Sequence, residues 1–299
     1  MALAIEIGRS SVYLVQAKAK KGKITIKKKA CYDFPEEWIS DKGISNIEAF
    51  TEELMKRLTE NHLTDKDVYL CINNASIIYR ELVVPRIEEK RLALLVRSEM
   101  MNVLNLTPDY VMDFKILEEI SENDRSLYRI LAVAIQDKAL ETYLNVLKDC
   151  KLKIKYVDSA TNAIIKYVSD LDIFTDNQQL ILADIANSHL RLYLFENREY
   201  SLSRNTRLVL FDEESENAFV DTIVDNVNKM VQFSYTRYEG QNAKKIVLTG
   251  LDDILQTIKD RISEELMIPC EILERPSYIQ SEDEYQQRYV NAIGTLIRK

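Results

Sequence analysis

The sequence predicts an α/β chain of two related lobes. Three observations carry that prediction: a repeated strand-turn-strand segment, an alternation of strand-period and helix-period stretches, and a length of 299 residues, enough for about two domains. The repeat is the most informative. Glu6, Ile7, Gly8, Arg9, Ser10, Ser11, Val12, Tyr13 and Leu14 align without a gap on Asp184, Ile185, Ala186, Asn187, Ser188, His189, Leu190, Arg191 and Leu192, at a constant offset of 184 − 6 = 178. Both copies read acid, Ile, small residue, any, Ser, any, aliphatic, any, Leu. An apolar run precedes each copy and an alternating one follows, so each is a β-hairpin with an acid near its tip. A third alternating strand follows each hairpin, at 23–29 and at 199–203.

The elements follow in order from period and punctuation. After the first hairpin, a turn at Lys21 and Gly22 leads into the strand at 23–29. The stretch 46–61 places Ile47, Phe50, Leu54 and Leu58 on one face, the spacing of an amphipathic helix. Runs at 68–72 and 77–84 read as strands, and Pro85 closes that unit. A helix at 88–104, strands at 110–117 and 127–136, and a helix at 138–148 with Leu140, Tyr143, Leu144 and Leu147 inward make a compact insert. A strand at 154–157 returns, and Asp158 or Ser159 caps a helix running to Ser169. Beyond the second hairpin come a long helix at 217–238, a strand at 245–248, a helix at 253–266 and a closing helix at 288–297.

Composition excludes several classes. With 46% hydrophobic and 29% charged residues, the chain belongs among soluble globular proteins. No apolar run approaches the roughly 18 residues of a membrane span. The first residues enter a strand pattern without a basic leader, so the expected location is the cytoplasm. Cys31, Cys71, Cys150 and Cys270 stand singly in or beside apolar segments, as buried reduced thiols do. With His62 and His189 the only histidines, and no paired cysteines, a zinc site or a Ser-His-Asp centre lacks its parts. His189 is expected at the surface with a hydrogen-bond partner. Tyr79, Tyr110, Tyr128 and Tyr143 are candidates to line a peptide groove, against ordinary packing.

A net charge of −8 argues against a nucleic-acid binder. One segment departs from that balance: Lys18, Lys20, Lys21, Lys23, Lys27, Lys28 and Lys29 crowd a single hairpin. Two readings stand for it, a hairpin edge guarded by lysine and a contact for anionic lipid headgroups.

The stretches LAIEIGRSSVYLVQ, ELVVPRIEEKRLALLVRSEMMNVLNLTPDYVMDFKIL, RILAVAIQDKALETYLNVLKDCKLKIKYVDSATNAI, ILADIANSHLRLYLF, KKIVLTGLDDILQTIKDRISEELMIPCEIL and YVNAIGTLIR occur in that order. In order and spacing they resemble the PilM family of type IV pilus machines, with the cell-division FtsA family as a more distant likeness. The resemblance implies an actin-like, ribonuclease-H-like duplicated fold of two lobes with an inserted subdomain and a shortened second lobe. Lobe 1A would take 1–84, 155–177 and 289–299, a 1C-type insert 85–154, and lobe 2 residues 178–288. The second lobe would be 2A with a reduced 2B, because 204–217 is too short for the helical 2B subdomain.

The resemblance also implies a crevice for ATP and Mg²⁺. Gly8, Arg9, Ser10 and Ser11 of the first hairpin, Asn187 and Ser188 of the second, and Thr249 and Gly250 after a strand would contact the nucleotide. Glu6 and Asp184 would hold Mg²⁺ through water. The chain departs from that pattern at several points. Glu6 stands where the family usually has Asp, Ala186 stands at the second tip where glycine is expected, and the loop Thr249-Gly250-Leu251-Asp252 has one glycine in a chain with six. Two readings stand: a site that binds ATP, or strand-end carboxylates satisfied by turn amides with nucleotide binding lost. No catalytic residue is assigned, and turnover would further require a positioned water and charge stabilisation.

The leading functional expectation is a non-enzymatic cytoplasmic scaffold at the inner face of the membrane in type IV pilus or related secretion assembly. By the resemblance it grips the cytoplasmic tail of a PilN-like bitopic protein, by strand addition or in a groove. Other pilus assembly proteins would be further partners, with membrane association through them, oligomers allowed and no nucleic acid. The alternatives are an active actin-fold ATPase or kinase, which calls for glycine-rich loops, and an FtsA-like membrane tether. The latter normally ends in an amphipathic helix, whereas Ile297, Arg298 and Lys299 follow directly on the closing helix here.

Overall fold

The computed structural model describes residues 1–20, 22–122, 125–174, 178–208, 216–237 and 243–298. The chain runs β1 (Ala2–Ile7), β2 (Ser11–Lys20), β3 (Lys23–Asp33), β4 (Ile39–Ser40), β5 (Gly43–Ile44), α1 (Ile47–Glu60) and β6 (Asp67–Ile72). It continues through β7 (Ile78–Pro85), α2 (Glu89–Leu104), β8 (Tyr110–Glu122), β9 (Arg125–Gln136), α3 (Asp137–Asp149), β10 (Lys153–Ser159) and α4 (Ala160–Val168). The second half holds β11 (Gln179–Ile185), β12 (His189–Glu196), β13 (Glu199–Arg207), α5 (Glu216–Arg237), β14 (Ala243–Gly250), α6 (Leu255–Leu266), β15 (Cys270–Ile272), β16 (Ile279–Ser281) and α7 (Val290–Leu296). Two compact units result, one of Met1–Pro35, Lys56–Asn73 and Leu152–Lys299, the other of Glu36–Met55 and Asn74–Lys151.

The first unit contains two sheets of one topology, β10-β6-β1-β2-β3-β16 and β13-β12-β11-β14-β15. In each, an antiparallel meander of three strands is followed by two strands added in parallel on the other side of the first. The correspondence is residue by residue: Ile7 pairs with Ile72 and Ile185 with Gly250, so 185 − 7 and 250 − 72 both equal the 178-residue offset. The first strands β1 and β11 are buried along their whole length, as apolar strands with neighbours on both sides should be. In α5, Val220, Ile223, Val224, Val227, Met230 and Val231 recur at helical spacing and are buried with Ile181, Leu190 and Leu192 of the second sheet. Helices α4 and α7 belong to the first sheet's side, and they cross closely. A Cβ on Gly294 would lie 2.3 Å from the carbonyl oxygen of Ala163, so glycine is what allows that crossing.

Several expectations change. Residues 279–281, assigned to the second lobe, instead pair as β16 with Ile24, Thr25 and Ile26 of β3, burying Ile279 at that edge. Ser159 is the cap of α4, its hydroxyl accepting from the Asn162 N–H at 3.3 Å. Asp158 instead accepts from the Lys166 ammonium at 2.6 Å in a buried ion pair. Cys71, Cys150 and Cys270 are buried thiols, but Cys31 is exposed, on a part of β3 beyond the three residues that β16 covers. The helix expected to reach Tyr238 runs to Arg237, and Tyr238 lies outside the described residues. So do 209–215, the middle of the segment where the reduced 2B subdomain was expected.

The second unit is an antiparallel sheet β7-β9-β8 with α2 on one face. Leu92, Val96 and Met100 of α2 pack on Leu82, Val84, Ile130, Ala132 and Ala134. Strand β7, expected in the first lobe, pairs along its length with β9, from Ile78↔Ala134 to Pro85↔Leu127. The hairpin of β4 and β5 lies against α3, where Ile44 N–H donates to Thr142 Oγ1 at 2.9 Å. Gly43, at φ +90°, leaves no room for a side chain there. Tyr143 is fully buried and its hydroxyl accepts from Asn74 Nδ2 at 2.9 Å, so it lines no groove. Tyr110 and Tyr128 pack against the α2 core.

Candidate functional site

The two hairpins of the first unit meet at a crevice. The repeat-equivalent serines Ser10 and Ser188 share a hydrogen bond between their hydroxyls at 3.0 Å. Beneath them Asn291 of α7 places its amide nitrogen between the two acids, donating to Glu6 Oε1 at 3.1 Å and to Asp184 Oδ2 at 2.9 Å. Asn73, just past β6, donates a further hydrogen bond to Glu6 Oε1 at 2.9 Å. Each hairpin tip closes on itself in the same way, Gly8 N–H to Ser11 O and Ala186 N–H to His189 O, both at 2.9 Å. The chain leaving each parallel strand is tied alike, Asn73 N–H to Ile7 O and Leu251 N–H to Ile185 O, both at 3.0 Å.

Burial sets the charge of this crevice. Desolvation, reinforced by Asp184, pushes the Glu6 carboxyl up to about 8, against the hydrogen bonds from Asn73 and Asn291 and the nearby Arg191 charge. Asp184 is also raised by burial, with Asn291 and Arg191 opposing. The pair therefore holds a proton at neutral pH, since two carboxylates this close in a dry site do not both ionise. His189, expected at the surface, is buried because it opens β12 at the crevice. Desolvation and the Arg191 and Arg9 charges bring it down to about 3, and its Nδ1 has no partner.

The residues as arranged do not fit a metal-bound nucleotide. The acids that would orient a hydrated cation are bridged by an amide, and the tip N–H groups of Gly8 and Ala186 are engaged within their own turns. The loop after β14 is likewise occupied. Thr249 Oγ1 donates to Gln287 at 3.3–3.4 Å, and Asp252 accepts from Gln287 N–H at 2.6 Å and Arg288 Nε at 2.8 Å. What remains is ≈ 20 Å³ open to the centre of a water molecule, room for about one or two waters. Glu6 Oε2, Asn73 Oδ1 and Asn291 Oδ1, from residues that line this space, have no protein partner, as such waters would require. Among the described residues no group of three His, Cys, Asp or Glu side chains could hold a metal ion.

Of the positions singled out from sequence, Glu6, Gly8, Arg9, Ser10, Ser11, Asp184 and Gly250 line the crevice. Asn187 is exposed and lies outside that lining, as do Ser188 and Thr249, whose hydroxyls face Ser10 and Gln287. Ser11 lines it but donates its hydroxyl to Asp33 Oδ1 at 2.5 Å. Gly8 does not have a positive φ, so Ala186 at the equivalent position loses nothing in turn geometry; Gly250, at φ +114°, is the glycine the crevice requires. Sequence reasoning missed Asn291, Asn73 and Arg288. The signal for Asn291 was present, a lone amide within the apolar run of the closing helix.

Two sheets of one topology, each opening on a hairpin that delivers an acid to a shared crevice, make this an actin-like chain. One chain of a solved PilM-PilN type IV pilus biogenesis complex has the same fold, with a TM-score of 0.83 and 16% identity over 98% of this chain and 97% of that one. A Bacteroides thetaiotaomicron protein of unknown function, described as having an actin-like ATPase fold, gives a TM-score of 0.51 and 14% identity over 91% of this chain and 90% of its own. No curated protein sequence matches. The profile of the family described as type IV pilus assembly protein PilM matches residues 4–208, and the chain belongs to that family.

Proposed function

We propose that the chain works as an assembly scaffold at the cytoplasmic face of the inner membrane, gripping the tail of a PilN-like protein, and does not turn over nucleotide. The observation that carries the non-enzymatic part is the crevice bridged by Asn291, with its hairpin tips bonded to each other. Family membership and the likeness to a chain solved in a PilM-PilN complex support the choice of partner. No described helix is long and apolar enough to cross a membrane, which suits a protein recruited by one that does. In this reading the unit of Glu36–Met55 and Asn74–Lys151 is the inserted 1C-type module and contributes to the grip. Its sheet ends in two edge strands, β7 and the 13-residue β8, whose outer backbone groups can take an added strand. Pull-down with the cytoplasmic peptides of bitopic pilus proteins tests the partner: capture of one is expected, and failure with all of them removes the reading.

The retained acid pair favours a second reading, a crevice that opens to admit Mg-ATP. Calorimetric titration separates the two. Micromolar binding abolished by Asp184→Ala establishes the nucleotide site; no heat up to millimolar ligand leaves the scaffold alone.

A further inference from the structure

The lysine-rich hairpin is not absorbed by the scaffold reading, and the structure divides its lysines into two sets. Lys27, Lys28 and Lys29 are engaged: Lys27 pairs with Glu282, Lys28 donates to the carbonyl of His62 at 2.9 Å, and Lys29 donates to the Glu284 carbonyl and to Gln286. Lys18, Lys20 and Lys23 are exposed and form no ion pair among the described residues. They occupy the end of a two-stranded ribbon that projects past its neighbours. Pairing of β2 with β1 stops at Ala17↔Ala2, and pairing of β3 with β16 starts at Ile24. Within that ribbon Lys20 stands directly opposite Lys23. Like charges in that position oppose the pairing they sit on. Edge protection does not require them there, since one lysine on either strand would suffice.

We propose that this ribbon end is a contact surface for anionic phospholipid bilayers. Between Gln16 and Tyr32 the sequence contains seven lysines and no acid, in a chain whose net charge is −8. Three of the seven, Lys18, Lys20 and Lys23, stand exposed together at the ribbon end. No aromatic residue stands between Ala17 and Lys29 to stack on a base, and there is no arginine fork to hold a single phosphate. Ammonium groups on flexible stems suit a diffuse layer of headgroups, which also lowers the Lys20–Lys23 repulsion. Three exposed lysines would raise membrane partitioning by roughly a hundredfold at low salt. A single tip of this kind does not anchor a protein by itself, but it orients and strengthens one already held at the membrane through a partner.

The test uses the full chain without any partner peptide, so its outcome is independent of the tail-binding reading. Sedimentation with vesicles of about 40% phosphatidylglycerol in phosphatidylcholine at about 0.05 M NaCl should carry the protein down, with loss at about 0.5 M NaCl and with phosphatidylcholine alone. The variant Lys18→Gln/Lys20→Gln/Lys23→Gln should lose most of that binding. Lys20→Glu serves as the folding control, since a Glu opposite Lys23 stabilises the hairpin while weakening vesicle binding; thermal stability should hold or rise as binding falls. Absence of binding to the anionic vesicles at low salt overturns the proposal. So does binding that the triple variant retains, or a DNA duplex bound through these lysines in place of the vesicles.

Discussion

Replacing Asn291 by alanine tests whether an amide bridge holds the two hairpins together. The side chain is buried and its Nδ2 supplies two hydrogen bonds, one to each acid, at 3.1 and 2.9 Å. A hydrogen bond to a neutral acceptor is worth about 1 kcal/mol and one to a charged acceptor about 1.5–3 kcal/mol. With one proton shared by the pair, removing both costs about 3 kcal/mol, before any partner left unsatisfied is counted. For a body of about 200 residues, this lowers the melting temperature by roughly 6–10 °C. Urea denaturation followed by circular dichroism, together with hydrogen exchange at the hairpin tips, reads the effect. Asn291→Asp should be worse than alanine at pH 7, because it adds a third carboxyl to the crevice, and should recover in part at pH 5 as that group protonates. If alanine costs less than about 0.5 kcal/mol, or aspartate is tolerated as well as asparagine, the bridge is not what closes the crevice.

Two further outcomes follow from the same site. Gly250→Ala should cost upwards of about 3 kcal/mol or prevent folding, because φ is +114° and the new Cβ would sit 1.9 Å from Ile185 O; Gly8→Ala, with its nearest contact at 3.2 Å, should cost about 1 kcal/mol or less by chemical denaturation. Equal costs for the two would refute the backbone assignment. His189 titrates near 3 when folded against 6.5 when free, so below pH 6.5 the unfolded chain binds a proton that the folded one refuses. Stability contributed by this group is therefore complete above pH 6.5 and falls by about 1.4 kcal/mol per pH unit toward 3, or about 2 kcal/mol at pH 5. Denaturant midpoints measured at both pH values should show that loss in the wild type and not in His189→Gln; identical profiles would place the imidazole in water.

The fold was readable because its cause is periodic. The duplicated hairpins announce themselves through the order acid, Ile, small, Ser, Leu, and the structure carries the same offset on into β6 and β14, where sequence similarity between the lobes has gone: Cys71 and Ile72 occupy the places of Thr249 and Gly250. The long helices α3 and α5 were legible for the same reason. Strand β16 was not, since three residues give no measurable period and its partner is some 250 residues away. The crevice was half legible. Hairpin positions came from the repeat, but whether they face a ligand or each other depends on Asn73, just past β6, and on Arg288 and Asn291 at the start of the closing helix.

Glycine was misread for an instructive reason. At sequence level a glycine at a hairpin tip suggests a left-handed backbone approaching a phosphate, and its replacement by Ala186 suggests loss of a site. Geometry assigns that constraint elsewhere: the strained glycine is Gly250, whose backbone lies so close to Ile185 that no side chain fits, while Gly8 and Ala186 make the same turn with the same hydrogen bond. The tips are therefore intact as turns, and Asn291 stands between the two acids that their strands carry. Two acids buried in one dry space need a counter-charge, a proton or donors, because neither can be left ionised without a partner. Asn291 and Asn73 supply the donors and Glu6 holds the proton, while Glu6 Oε2, Asn73 Oδ1 and Asn291 Oδ1 have no protein partner. A cation arriving there would have to displace the Asn291 bridge and the Glu6 proton together.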